Sequence, residues 1–207
     1  QSAARCQRSR RPLRRAVVRE ESRVKGETWA RRRLGEQRRY SEACADSDVP
    51  KVILNRIMIK SFLGVEPTYD ATNYIAETAA VIGDVTLGRE ASIWHQCTLR
   101  GDVNWIRVGR ETNVQDNTVV HVTHGTAPTD IGARVTIGHG AIVHGCTIED
   151  EVLVGMGATI LDHAVIGRHS IVGAGALVTK RTHIPPRSLV LGQPAEVVHT
   201  VTAAEVE

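Results

Sequence analysis

Aromatic residues are scarce in this sequence and make up only 3% of its 207 residues. No apolar run is as long as the roughly 18 residues that a membrane-spanning helix needs, so no transmembrane segment is predicted. The four cysteines form no CxxC pair and no disulfide framework, which favours reduced thiols over a disulfide-stabilised scaffold. The apolar residues are mainly Val, Ile, Leu and Ala, and they predict a thin aliphatic core in one main domain.

Charge is distributed unevenly along the chain. Residues 1–40 include 14 basic and 4 acidic residues, whereas the remaining 167 residues include 12 basic and 19 acidic ones. The first acidic residue is Glu20, and such an Arg-rich segment is typical of an organelle-targeting extension. We predict a basic N-terminal extension over residues 1–50, with a solvated helix at 17–43 that binds a partner protein. Nucleic acid is the alternative partner, but nothing else in the chain is suited to reading bases.

Aliphatic residues recur at every sixth position. The uninterrupted series is Ile142, Ile148, Val154, Ile160, Ile166, Val172, Val178 and Ile184. The same spacing runs earlier through Ile75, Val81, Leu87, Ile93 and Leu99, and again through Val108, Val114 and Val120. This repeat predicts an all-β fold, a parallel β-helix in which three short strands make one triangular coil of about 18 residues. Each strand then places one aliphatic side chain inside the prism.

We place the prism at residues 51–186. The segment 50–64 is apolar enough to enter it as a strand or as a short amphipathic helix. The repeat ends at Pro185, and we predict a helix from about Pro194 within a C-terminal segment at 187–207. Stacked coils leave open ends and flat faces, so a prism of this kind needs caps and partners.

Two irregularities in the spacing surround a group of histidines. Val120 is followed by Ile131, which predicts a loop of five extra residues, and the step from Ile137 to Ile142 is one residue short. On this count Val120 and Ile142 lie on one face, one coil apart. His121 and His144 are then expected to stack within reach of a common point, whereas His139 lies one strand earlier and faces another side.

A trimer of prisms would bring His139 of one chain to His121 and His144 of its neighbour. Three neutral imidazoles and a water molecule form the ligand set of a catalytic zinc site. The other histidines are interpreted as ordinary exposed residues, although His124 adjoins the proposed site; they are His95, His124, His163, His169, His183 and His199.

Around these histidines the sequence resembles the γ-class carbonic anhydrases, over about residues 65–198. The motifs that carry the resemblance are LRGDVNWIRVGRETNVQDNTVVHV (99–122), TIGHGAIVHGCTIEDEVLVGMGATILDHAVIG (136–167) and IPPRSLVLGQPAEVV (184–198). The first two are specific to that family and its near relatives, whereas the third is shared with hexapeptide acyltransferases. The resemblance implies a left-handed, trimeric β-helix that hydrates CO2 reversibly.

The resemblance also implies roles for individual residues. The metal ligands of the family match His121, His139 and His144, with Zn²⁺ as the expected metal and Fe²⁺ as the alternative. Arg100 and Asp102 match an ion pair that crosses the subunit interface in the family.

Gln115 and Asp116 match residues that hold the bound water or order neighbouring side chains. The sequence departs from the archaeal prototype at Val103 and His124, where the prototype has glutamates that serve proton transfer. This difference bears on turnover more than on metal binding, and His124 could itself carry protons.

A basic extension on such a body further resembles the γ-carbonic anhydrase-like subunits of mitochondrial complex I. That resemblance implies a homo- or heterotrimer with paralogues, located on the matrix side of the inner membrane. The implied partners are membrane-arm subunits, together with CO2 or bicarbonate. The alternatives are a free homotrimeric enzyme and a hexapeptide acyltransferase, which would have a single catalytic histidine and a coenzyme A groove.

Overall fold

The computed structural model describes residues 58–202 and Glu205. The predicted extension at 1–50, its helix at 17–43 and residues 50–57 of the entering segment lie outside the described residues. The described part forms nineteen strands, and all but the last wind into a parallel β-helix, which confirms the all-β prediction. None of its residues belongs to a helix long and apolar enough to cross a membrane.

The strands lie on three faces of a prism. The first face holds β2 (Tyr74–Ile75), β4 (Ser92–Ile93), β6 (Asn113–Val114), β9 (Thr136–Ile137), β12 (Leu153–Val154), β15 (Ile171–Val172) and β18 (Ser188–Leu191). The second holds β1 (Met58–Lys60), the first halves of β3 (Ala80–Leu87) and β5 (Thr98–Val108), and then β7 (Val119–His121), β10 (Ile142–His144), β13 (Thr159–Ile160) and β16 (Leu177–Val178). The third holds the second halves of β3 and β5, followed by β8 (Thr129–Ile131), β11 (Thr147–Ile148), β14 (Val165–Ile166) and β17 (His183–Ile184).

One aliphatic side chain from each short strand fills the interior. On the second face the inward residues are Val81, Leu99, Val120, Val143, Ile160 and Val178, all with 0% exposure. Branched aliphatic side chains suit this position because they are stiff and pack well on a pleated surface. Burying each one stabilises the prism by about 1.5–3 kcal/mol.

The predicted register is wrong by one residue at β10. Val143 pairs with Val120 and is buried, whereas Ile142 pairs with Val119 and is 42% exposed. The short step of the repeat therefore lies between Val143 and Ile148, and not before Ile142. Successive side chains of a strand point to opposite faces, so a shift of one residue exchanges the inward and outward positions.

The C-terminal segment also differs from its prediction. No helix begins at Pro194; a five-residue strand, β19 (Glu196–Thr200), pairs antiparallel with β18 instead. The run from Val197 to Val201 is rich in β-branched residues, which favour a strand over a helix. At the other end of the prism, β1 pairs with β3, so the described part of the 50–64 segment enters as a strand.

Candidate active site

A bulge in β5 carries the first residues of the site. The pairing of β3 with β5 runs through Gly83 and Gly101 and resumes at Val85 and Ile106, so residues 102–105 oppose Asp84 alone. Gly101 is required here because a Cβ atom would lie 2.5 Å from the carbonyl oxygen of Asp84. The bulge places Asp102 beside the second face, with its side chain only 12% exposed.

Two imidazoles lie next to each other on that face, as the sequence predicted, and their rings meet edge to face at 63°. His121 ends β7 and pairs with His144 at the end of β10. Their ring centroids are 5.0 Å apart, and Nδ1 of His121 lies 3.1 Å from Nε2 of His144. Because neighbouring coils repeat at the β-sheet spacing, side chains at paired positions are held side by side.

A carboxylate contacts the outer nitrogen of each ring. Asp102 Oδ1 lies 3.1 Å from Nε2 of His121, and Asp162 Oδ1 lies 2.6 Å from Nδ1 of His144. Asp102 also forms an ion pair with Arg100 of the same chain. The family resemblance implied that this pair crosses a subunit interface.

Both carboxylates are ionised at neutral pH. Desolvation is the largest single influence and raises the pKa of each carboxylate, but the groups around it together outweigh it, so that the pKa of both lies below its ordinary value. These groups are His121 and Arg100 at Asp102, and His144, Thr123 and Lys180 at Asp162. Desolvation also lowers the pKa of His121, against the opposing hydrogen bond to Asp102. His121 is therefore a neutral ring at neutral pH.

These bonds determine which nitrogens are free to bind a metal. An ionised carboxylate accepts hydrogen bonds and donates none, so it holds the ring proton on the nitrogen that it contacts. When both rings are neutral, the lone pairs of His121 Nδ1 and His144 Nε2 face each other across 3.1 Å. Two facing lone pairs repel unless a proton or a metal ion lies between them.

The spacing of these two nitrogens fits zinc. With Zn–N bonds of about 2.0–2.1 Å, two ligands of a tetrahedral site lie about 3.3 Å apart. The pair therefore supplies one edge of a tetrahedron. Among residues 58–202, however, no three His, Cys, Asp or Glu side chains come together as a group able to hold a metal ion. One chain presents two neighbouring ligands, and a third must come from elsewhere.

His139 lies apart from this pair. It follows β9 in the turn at the corner between the first and second faces, and its side chain is 50% exposed. Its Nδ1 lies 3.0 Å from Asp116 Oδ2, one coil away at the same corner. Gln115 precedes Asp116, and its carbonyl oxygen accepts a hydrogen bond from the Cys97 thiol at 3.0 Å. The predicted residues thus form two groups within one chain.

The predicted loop between β7 and β8 begins directly after His121. It is closed by a bridge between Thr123 and Ala127, and it exposes His124. The side chain of Asn104, in the β5 bulge, donates to the carbonyl oxygen of Thr123 at 3.1 Å. This hydrogen bond fixes the bulge and the loop to each other beside the site.

Sequence reasoning missed Asp162 and Thr123. The Thr123 hydroxyl donates to Asp162 Oδ2 at 3.0 Å, and Lys180 Nζ lies 3.5 Å from the same oxygen. The coil length could have identified this group, since Asp162 follows His144 by 18 residues and Lys180 follows Asp162 by 18. Residues separated by one coil occupy the same place on neighbouring coils.

Comparisons with known proteins identify the family of this chain. A family model described as bacterial transferase hexapeptide (six repeats) matches residues 145–180. Gamma carbonic anhydrase 1, mitochondrial, of Arabidopsis thaliana is 49% identical over 145 residues, which are 68% of this chain and 53% of that protein. The probable carbonic anhydrase of Methanocaldococcus jannaschii is 53% identical over 133 residues, 64% of this chain and 83% of that protein. The chain belongs to the γ-class carbonic anhydrases.

The proteins that resemble this chain differ in length and in the function that their names give. The chain spans about half the length of the Arabidopsis relative. A solved structure of a hexapeptide transferase family protein from Anaplasma phagocytophilum superposes with a TM-score of 0.70 at 43% identity. The matched region covers 73% of this chain and 89% of the Anaplasma chain. The γ-class fold is thus shared with proteins named as transferases, and the assignment of an activity depends on the site.

Proposed function

We propose that the protein is a zinc-dependent γ-carbonic anhydrase that hydrates CO2 reversibly as a trimer. The observation that carries this proposal is the pair of ring nitrogens of His121 and His144, which lie 3.1 Å apart while a carboxylate contacts the other nitrogen of each ring. A zinc ion bound there would supply hydroxide at neutral pH, because it lowers the pKa of water to about 7. Fe²⁺ is the alternative metal.

The third ligand in this proposal is His139 of a neighbouring chain. His139 stands half exposed at a corner of the prism, where another prism can approach it. Its Nδ1 contacts Asp116, as the outer nitrogens of the other two histidines contact Asp102 and Asp162. All three rings are therefore oriented by a carboxylate, which is the usual arrangement of metal-binding histidines.

The remaining predicted residues act around this ligand set. Arg100 neutralises Asp102, and Asp102 holds the proton of His121 on the outer nitrogen. Gln115 orients the bound water, in the role that the resemblance implies. His124, at the exposed tip of the loop, takes protons to solvent.

The activity is tested by measuring CO2 hydration with zinc-loaded protein in a stopped-flow pH-indicator assay. We expect catalysis that is lost on removal of zinc and restored by its return. His144→Ala should abolish both zinc binding and hydration. Lys60→Ala, a change in an exposed residue of β1, is the matched control and should leave both unchanged. Zinc-loaded protein without hydration activity would reject the proposed enzyme.

We further propose that the protein acts in mitochondria as a γ-carbonic anhydrase-like subunit of complex I. The Arg-rich extension and the mitochondrial name of the Arabidopsis relative support this location. Deletion of residues 1–45 should then leave the trimer intact but abolish its incorporation into a large membrane complex, as seen by native electrophoresis of mitochondrial membranes. A truncated chain that still co-migrates with the complex would favour a free homotrimeric enzyme.

A hexapeptide acyltransferase is the second candidate, because the matching family model bears a transferase description. Such an enzyme binds coenzyme A, whereas the proposed carbonic anhydrase binds zinc. Calorimetric titration with each ligand separates the two functions. Tight zinc binding without coenzyme A binding supports the carbonic anhydrase, and the reverse result supports the acyltransferase.

A further inference from the structure

Asp162 is among the few polar residues buried in the described part of the chain, with 9% exposure. It lies in the turn that follows β13, one coil beyond His144, and its Oδ1 is 2.6 Å from Nδ1 of that histidine. A carboxylate is costly to bury unless its oxygens are satisfied. Its position next to a proposed metal ligand therefore needs an explanation beyond packing.

The second oxygen of Asp162 is held from two directions. Thr123 Oγ1 donates to Oδ2 at 3.0 Å, and the Lys180 ammonium lies 3.5 Å from it. Thr123 belongs to the loop between β7 and β8, and Lys180 to the next coil. The carboxylate is thus anchored on one side and directed at His144 on the other.

The backbone also keeps this contact in place. Gly145 has a φ of +57°, and a Cβ atom on it would lie 2.9 Å from Asp162 Oδ1. Its backbone N–H donates to the Thr129 hydroxyl at 2.9 Å. A residue without a side chain at position 145 leaves the path between Asp162 and His144 open.

We propose that Asp162 is the positioning residue that keeps the proton of His144 on Nδ1 and so leaves Nε2 available for the metal. Thr123 and Lys180 serve to anchor its carboxylate. The inference rests on the proposed function, since it assigns a role to Asp162 at the zinc site.

The substitution Asp162→Asn tests this role because Lys180 dictates how the amide must turn. Lys180 only donates, so the amide oxygen faces Lys180 and the amide N–H2 faces His144. Nδ1 of His144 must then accept a hydrogen bond, and its proton moves to Nε2. Asp162→Glu retains a carboxylate and is the conservative variant.

The readout is the position of the ring proton in zinc-free protein labelled with ¹⁵N-histidine, obtained from long-range ¹H–¹⁵N correlation spectra. We expect the Nδ1–H form of His144 in the natural chain and in Asp162→Glu, and the Nε2–H form in Asp162→Asn. Zinc affinity, measured by competition with a chelator, should fall by about 10–100-fold in Asp162→Asn. It should recover in part in Asp162→Glu.

The matched control is Glu151→Gln, in which another carboxylate beside a histidine is altered. Glu151 Oε2 lies 2.8 Å from Nδ1 of His169, at a different corner of the prism. This variant should leave the His144 proton and the zinc affinity unchanged. Thr123→Val keeps the carboxylate of Asp162 and removes one of its hydrogen bonds, so it should weaken zinc binding less than Asp162→Asn does. This second variant provides the test if Asp162→Asn does not fold.

An Asp162→Asn protein with an unmoved His144 proton, or with unchanged zinc affinity, would overturn the proposal. If the natural chain binds no zinc, the proposed function fails. If the His144 proton nevertheless moves in Asp162→Asn, Asp162 still determines which nitrogen of His144 carries the proton. Failure of the proposed function can therefore be distinguished from failure of the role proposed for Asp162.

Discussion

Replacing Gly145 by alanine should disturb the site through a single added methyl group. Gly145 has a φ of +57°, and its new Cβ would lie 2.8 Å from Ala127 Cβ and 2.9 Å from Asp162 Oδ1. Gly175 has nearly the same backbone, with a φ of +65°, but a Cβ there would have no atom within 4 Å. Gly175→Ala is therefore the matched control for the backbone conformation alone.

The two substitutions share one cost and differ in another. Placing alanine in the left-handed region costs about 1 kcal/mol at either position. At Gly145 the crowding of the loop and of Asp162 should add about 1–3 kcal/mol. We therefore expect the free energy of unfolding to fall by about 2–4 kcal/mol in Gly145→Ala and by about 1 kcal/mol in Gly175→Ala.

Urea denaturation of the zinc-free proteins, repeated at several protein concentrations, measures these values. Zinc affinity gives a second readout, because only Gly145→Ala displaces the carboxylate that contacts His144. Equal losses of stability in the two variants, with equal zinc affinity, would refute the reasoning that Gly145 is required by the geometry of the site.

Three further predictions concern the core, the thiols and the loop. Val143→Ala should lower the free energy of unfolding by about 2 kcal/mol and Ile142→Ala by less than about 1 kcal/mol, and the reverse order in urea denaturation would contradict the register of β10. Burial raises the pKa of Cys97 to about 11 and of Cys146 to about 12, so iodoacetamide at pH 8 should modify neither thiol until the protein is unfolded, as followed by mass spectrometry. His124→Ala should keep its zinc but hydrate CO2 at least about tenfold more slowly in dilute buffer, with recovery in concentrated imidazole; an unchanged rate would exclude proton transfer by His124.

The six-residue repeat was sufficient to predict the prism and the position of His121 next to His144. It places each residue on a face and on a coil, and pairing between coils then follows from the sheet spacing. It could not settle the register at Ile142 and Val143, because both residues are aliphatic and both suit an inward position. Packing decides this choice, since only the observed register buries Val143 and places His144 opposite His121.

The parts of the site that were missed depend on contacts between coils. The spacing from Leu99 to Val108 departs from six residues, but the bulge that causes this departure and carries Asp102 beside His121 depends on pairing with β3. Asp162 had no motif of its own and is recognisable only by its distance of one coil from His144. The C-terminal strand is not predicted because a proline such as Pro194 suits the start of a helix, although the β-branched residues that follow favour pairing with β18.

The central claim is that each zinc site combines His121 and His144 of one chain with His139 of its neighbour. The most direct test mixes two variants, His139→Ala and His121→Ala, each of which should form a folded trimer without tightly bound zinc. After the two are unfolded and refolded together in equal amounts, each mixed trimer should contain one complete site. Elemental analysis should then find roughly a quarter of the zinc of the natural trimer. No recovery of zinc on mixing, or full zinc in the His139→Ala trimer alone, would contradict the shared site.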